Sequence, residues 1–231
     1  MSKKTIEAAQ SQDIDLGQVY TRTELILEKN KKPITYGAIG LLVVVAAILG
    51  YKKLYAEPRA TEAAELIWKA QYYFEIDSLN KALNGDDLYP GFISIASDYG
   101  DTPSGKLAHY YLGSIYMQQE QYQMALDSYK EADVDDDVLR VMAVGNQGDV
   151  LTELGRTDEA IGQFEKAANM VKSDYTTPMF LMKAGVLYRQ KNDHKNAAKC
   201  FGRIATDFPT SPDVQQAKKY AAYAESMSGQ G

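Results

Sequence analysis

The sequence predicts an all-α protein, with one apolar helix near the N-terminus followed by an α-solenoid of stacked helical hairpins. Three observations carry this. The stretch Ile34 to Tyr51 runs eighteen residues without a charge. Beyond it, Gly, Ala and aromatic residues recur together, with Gly-to-Gly steps of 35 and 37 residues. Turn-forming pairs fall between the helical segments: Glu120-Gln121, Gly155-Arg156 and Asn192-Asp193. The organisation expected is a tail at 1–33, an apolar helix at 34–55, a linker helix and degenerate hairpin at 56–105, three clear repeats at 106–209, and a closing helix and tail at 210–231.

The apolar run reads as a transmembrane helix. Lys52 and Lys53 can snorkel, so it extends to Leu54 and Tyr55. About twenty residues at ~1.5 Å each span a ~30 Å hydrocarbon core. Tyr36, Tyr51 and Tyr55 stand near its ends, where amphipathic rings favour the interface. The long polar segment before the run, and the absence of a small-x-small pair after it, predict an uncleaved anchor. Lys29, Lys31 and Lys32, with Arg22 nearby, precede the span; Lys52, Lys53 and Arg59 follow it. This slight bias places the N-terminus in the cytoplasm and residues 56–231 outside it, which in a bacterium is the periplasm. In the tail, Leu16, Val19, Tyr20, Thr23 and Leu27 recur at helical steps, the pattern of an amphipathic helix.

The repeats align on three glycines. Gly113 is followed by Tyr116, Ala125, Tyr129 and Ala132; Gly148 by Leu151, Ala160, Phe164 and Ala167; Gly185 by Tyr188, Ala197, Phe201 and Ile204. In each, the Ala lies twelve residues after the Gly and the aromatic sixteen after. The Gly is expected where two helices cross closely, with the Ala facing it and the aromatic filling the groove against the next hairpin. This spacing resembles the tetratricopeptide (TPR) consensus over residues 106–209, though His109, Val144 and Leu181 stand where that consensus has Trp. Phe92 to Pro103 parallels Phe201 to Pro212 at a constant offset of 109 residues. A degenerate first hairpin follows, with helices expected near 59–83 and 88–100. Ser211-Pro212-Asp213 opens a closing helix.

Little in the chain points to chemistry. The formal charge is −6, and residues after position 33 hold nineteen basic and twenty-six acidic side chains. Such a domain is ill suited to a phosphate backbone. Cys200 is the single thiol, so neither a disulfide framework nor a cysteine zinc cluster can form within the chain. His109 and His194 have no Ser or Cys at a spacing that supports nucleophilic catalysis. Asp133, Asp135 and Asp137 open like a calcium loop, but Val138 and Val144 replace the required Gly and Glu. The expectation is no enzyme, no cofactor and no metal.

What remains is a binding surface. In a TPR array the first helices line a concave face. Residues expected there are Tyr110, Leu107, Ser114, Met117 and Gln118; Met142, Gly145, Asp149, Thr152 and Glu153; Met179, Met182, Val186, Arg189 and Gln190; and Tyr73 and Asp77 from the first hairpin. The partner-binding candidates are Tyr73, Tyr110, Met117, Met142, Asp149, Met179, Met182 and Arg189. Tyr and Met suit adaptable contact with a peptide or helix. The pattern of the chaperone-binding carboxylate clamp is incomplete: Asn146 and Lys183 match it, but Tyr110, Ser114 and Met179 depart from it.

The order of polar tail, lysine-bracketed span and TPR-like domain resembles the ancillary subunit of the bacterial Sec translocon. The likeness lies in Glu28-Lys29-Asn30-Lys31-Lys32 before the span and the helix Ala60 to Leu83 after it. It implies an inner-membrane protein that hands emerging polypeptides to periplasmic chaperones or a membrane-anchored prolyl isomerase. The alternatives are a scaffold for envelope or outer-membrane protein assembly, or an unrecognised enzyme or sensor domain.

Overall fold

A computed structural model describes residues 29–228. The amphipathic pattern at Leu16 to Leu27 lies outside the described residues. The chain divides after Tyr55 into two units, each described by itself.

The first unit holds α1, Lys31–Tyr51. Pro33 sits in its first turn, where no intrahelical N–H bond is lost. None of its side chains is buried. Its most apolar window has a mean hydropathy of 2.1, and by length and composition the helix can cross a membrane. A π-helical turn, Lys52–Ala56, comes next in sequence, and the rings of Tyr51 and Tyr55 lie 5.3 Å apart.

The second unit consists of α-helices throughout, with no strand among the described residues. In order these are α2 (Glu57–Glu75), α3 (Leu79–Asn84), α4 (Phe92–Tyr99), α5 (Pro103–Gln118), α6 (Tyr122–Glu131), α7 (Asp137–Glu153), α8 (Thr157–Met170), α9 (Thr176–Gln190), α10 (His194–Asp207) and α11 (Val214–Ser228). Each helix packs on its sequence neighbour, and α2 also packs on α4 and α5. This nearest-neighbour pattern defines an α-solenoid.

Local signals set the helix starts. The Thr102 hydroxyl accepts from the Gly105 N–H at 3.1 Å, Asp136 from the Leu139 N–H at 2.8 Å, and Asp193 from the Asn196 N–H at 3.1 Å. Each satisfies one of the donors a helix leaves unpaired in its first turn. Asp136 is thus the capping acid of the aspartate-rich loop.

Hairpin closure follows one rule. Glu120, Gly155 and Asn192 are left-handed, with φ of 59°, 71° and 61°, and each lies seven residues after its repeat glycine. The residue after each donates back to the carbonyl of Tyr116, Leu151 or Tyr188 at 2.8–2.9 Å, ending the first helix. The repeat glycines are packed as expected, but against a different partner. A Cβ on Gly113 would stand 2.7 Å from the Tyr129 ring, and one on Gly148 or Gly185 would stand 2.6 Å from Phe164 or Phe201. The aromatic therefore seats on the glycine of its own hairpin, rather than only bridging to the next. Phe164 does both, lying 6.2 Å from Phe180 of the following hairpin.

The first hairpin departs from the expectation of one helix over 59–83. Asp77 is left-handed at φ 59°, and the Ser78 N–H bonds to the Tyr73 carbonyl at 2.8 Å, the same closure as in the later hairpins. Counting back seven residues puts Ala70 in the glycine position, and Ala82 falls in the small-residue position; both are fully buried. The second helix then starts as α3, breaks at Gly85 and resumes as α4. A loop inserted between them makes Phe92 arrive six residues late relative to the repeat. Gly85 turns the chain at φ 82°, and the Asp86 carboxylate accepts from the Leu88 and Tyr89 N–H groups at 2.9 and 2.8 Å. At the other end α11 closes the stack, burying Ala217, Ala221 and Ala224, with Tyr220 5.2 Å from Phe201.

Candidate protein-binding groove

The first helices of the hairpins carry the candidate residues. Tyr110 and Met117 lie on α5, Met142 and Asp149 on α7, and Met179, Met182 and Arg189 on α9; all seven are half-buried. Tyr110, Met117, Met142, Met179 and Met182 rest against the core without entering it. That is the condition for an apolar side chain that can both hold its place and touch a partner.

Three of the expected groove residues are placed otherwise. Tyr73 falls three residues after Ala70, the position of Tyr116 and Leu151, and is buried like them. Its hydroxyl donates to Asp86. That bond, with burial, pushes the Tyr73 pKa up to about 12, while the same bond and the two loop N–H groups bring Asp86 down to about 2. Tyr73 thus fastens the 85–91 loop to α2. Asp77 is the left-handed turn residue. Gly145 is also closed off: a Cβ there would stand 2.0 Å from the Phe180 ring. The repeat register misplaced Tyr73 and Asp77 because the inserted loop shifts Phe92 away from its repeat position.

The centre of the groove contains residues that the register did not select. Tyr129 reaches across from α6. Its hydroxyl pairs with the Ser114 hydroxyl at 3.0 Å, and its ring meets Tyr110 edge-on at 5.8 Å. Burial pushes its pKa up to about 12 against the Ser114 and Asn146 hydrogen bonds. Asn146 also bonds the Tyr110 hydroxyl, whose pKa burial raises. Met117, Tyr129, Asn146, Asp149, Thr152 and Glu153 line an open concavity of about 270 Å³. Beside it, the Lys183 ammonium bonds both oxygens of Asp149 at 2.7 Å and lies 5.5 Å from the Phe164 ring. Arg189 stacks over Tyr220 of the closing helix at 4.6 Å. Asp149 and Glu153 thus lie on α7, and Lys183 and Arg189 on the neighbouring first helix α9. The sequence signal for Asn146 and Lys183 is their match to single positions of the carboxylate clamp; the repeat spacing gives Tyr129 only a packing role.

The other singled-out groups do not gather into a site. Burial lowers the His109 pKa, with Glu131 opposing it. His194 meets Tyr223 edge-on at 6.4 Å. Burial pushes the Cys200 thiol up to about 11, which keeps it out of its reactive thiolate form. Asp133 pairs with Lys106 at 3.3 Å. Among the described residues, no three His, Cys, Asp or Glu side chains are placed to hold a metal ion.

Stacked hairpins closed by a helix, with a lined concave face, define a TPR-like α-solenoid, a protein-interaction domain. The family described as "T7SS, ESX-1 secretion system protein EccA1, N-terminal domain" matches residues 88–225, more than half of the chain. The chain belongs to that family. No curated protein matches it. The family match overturns the resemblance to the Sec translocon's ancillary subunit. That resemblance rested on the order of tail, span and helical domain, which unrelated chains share, and on no residue of the groove.

Proposed function

We propose that this chain is a membrane-anchored scaffold whose concave groove holds a segment of a protein partner within a secretion apparatus. The observation that carries it is the half-buried row of Tyr110, Met117, Met142, Met179 and Met182 beside the Asp149–Lys183 pair. Thioethers adapt to irregular apolar surfaces, and the Tyr hydroxyls and Asn146 supply directional contacts. The secretion setting comes from the family description. The chain acts by binding and performs no catalysis of its own. Its span, α1, sits in an inner membrane with the N-terminus in the cytoplasm and the TPR-like domain outside. The exposed apolar length of α1 and the lysines before it support this arrangement.

Site-specific photo-crosslinking in native membranes tests the binding role. A crosslinker at Met142 or Met182 should trap a discrete partner, while one at Lys166, on the outer helix α8, should not. Equal trapping from both faces would remove the groove from the account. For the anchor, protease added to spheroplasts should degrade the TPR-like domain. Full protection with intact membranes would reverse the orientation.

A further inference from the structure

Charge in the groove is unevenly engaged. The cations of α9 each have a partner already: Lys183 holds both oxygens of Asp149 at 2.7 Å, and Arg189 stacks over Tyr220 at 4.6 Å. The carboxylates are not matched in the same way. Asp149 and Glu153 stand four residues apart on α7, so they share one face of that helix. The Glu153 carboxylate forms no hydrogen bond or ion pair among the described residues, and neither does that of Glu120, in the turn of the preceding hairpin. Both bear on the same place. The Tyr122 pKa is raised first by burial and then by the charges of Glu153 and Glu120, and the Asp149 charge adds to the raising of Tyr129. Three carboxylates thus act on the turn end of the groove, against the single ammonium of Lys183.

The concavity among these groups has the size of a side-chain pocket. Small-molecule sites run to about 300–1,000 Å³; this one holds about 270 Å³ and is open to solvent. Met117 from α5 and Tyr129 from α6 give it a thioether and a ring, and α7 gives it Asn146, Asp149 and Glu153. Asp149 keeps acceptor capacity, because a carboxylate has about four lone-pair sites and Lys183 takes one on each oxygen. A long cationic side chain matches such a surface: its apolar stem lies along the thioether and ring, and its head meets the carboxylates. An anion does not match it. To reach Lys183 it would have to displace Asp149 and then stand beside Glu153.

We propose that this concavity receives one lysine or arginine side chain of the partner segment, its stem against Met117 and Tyr129 and its cation between Asp149 and Glu153. The inference rests on the groove being the partner-binding surface, and it gives the partner a chemistry: a basic residue flanked by apolar ones, which rest on the row of Tyr110 and Met142.

Selection from a random peptide library displayed on phage, with the full chain in lipid nanodiscs as bait, tests it. Groove binders are the peptides that the joint Tyr110→Ala and Met142→Ala variant releases. They should share a Lys or Arg at one position. In the tightest of them, a neutral analogue at that position (norleucine for Lys, citrulline for Arg) should weaken binding to the wild type by about tenfold, as for a lost charge-assisted contact. The same exchange should matter far less to Glu153→Gln. Glu153→Lys should lose the basic peptide and bind its counterpart with Glu at that position. Circular dichroism on each variant checks that the helices are intact, and Glu131→Gln on the outer face should bind as the wild type does. The proposal is overturned, with the groove reading intact, if groove binders share no basic residue or share an acidic one. It is equally overturned if the neutral analogue weakens binding to the wild type and to Glu153→Gln alike. A library that yields no groove binder overturns the groove reading itself, and this pocket with it.

Discussion

At the scale of single residues, glycine is used in opposite ways along the chain. Gly148 lies under Phe164 with no room for a Cβ, whereas Gly162 and Gly202 have nothing within 4 Å of where a Cβ would be. Gly148→Leu should therefore cost about 1–3 kcal/mol in chemical denaturation, the usual range for overpacking. Gly162→Ala and Gly202→Ala, on α8 and α10, should each stabilise by about 0.5–1 kcal/mol by relieving a glycine in a helix interior. A Gly148→Leu protein with unchanged stability would mean that Phe164 does not seat on that glycine. Thr102 makes a second residue-scale case. It is buried, donates to the Tyr99 carbonyl at 2.7 Å and accepts from Gly105. Thr102→Ala should lower stability by about 1–2 kcal/mol, as for a lost helix cap, while Thr102→Ser should recover most of it. The spacing of the repeat revealed Gly113, Gly148 and Gly185 because each meets an aromatic sixteen residues later in the same hairpin. It could not reveal Gly145. That glycine has no counterpart in the other repeats, and its partner Phe180 belongs to the next hairpin.

Among the elements, the three later hairpins were legible and the first was not. Periodicity detects a repeat only while its register is kept, and the loop between α3 and α4 breaks it. The parallel between Phe92–Pro103 and Phe201–Pro212 located α4 correctly, yet it aligned α2 in the wrong phase. That phase puts Tyr73 and Asp77 at concave positions, which neither occupies. The loop replaces the lost helical hydrogen bonds with one carboxylate, and this gives a pH dependence. Asp86 is held down to about 2, first by the Tyr73 hydroxyl and then by the Leu88 and Tyr89 N–H groups. A depressed carboxylate contributes stability above its unfolded pKa and loses it as pH falls through the folded value. The difference in melting temperature between the wild type and Asp86→Ala should thus narrow as pH drops from about 4 to about 2. Tyr73 is raised to about 12, so its contribution is present below pH ~10 and fades as pH climbs through the folded value. A constant gap between wild type and Asp86→Ala across the acid range would show that Asp86 does not fasten the loop.

For the molecule as a whole, the repeat made the architecture readable, whereas the partner was not. An apolar helix followed by stacked hairpins is an arrangement that physics permits in many chains, so it does not single out the Sec translocon, and the family match places the domain elsewhere. The groove was partly legible. The inward positions of α5, α7 and α9 gave the Tyr and Met row, but the polar centre around Tyr129, Asn146 and Lys183 arises where side chains from several helices converge. The measurement that bears most directly on the central claim joins folding to binding. Tyr110, Met117, Met142 and Met182 are truncated to Ala together, and helix content and partner capture from native membranes are measured on the same preparation. These half-buried side chains should cost little helicity, and two or three hot spots worth about 1–2 kcal/mol each should reduce capture well beyond tenfold. Truncation at the exposed Glu131 and Lys166 should leave capture unchanged. A groove variant that folds and captures its partner at the wild-type level would contradict the account and move recognition off the concave face.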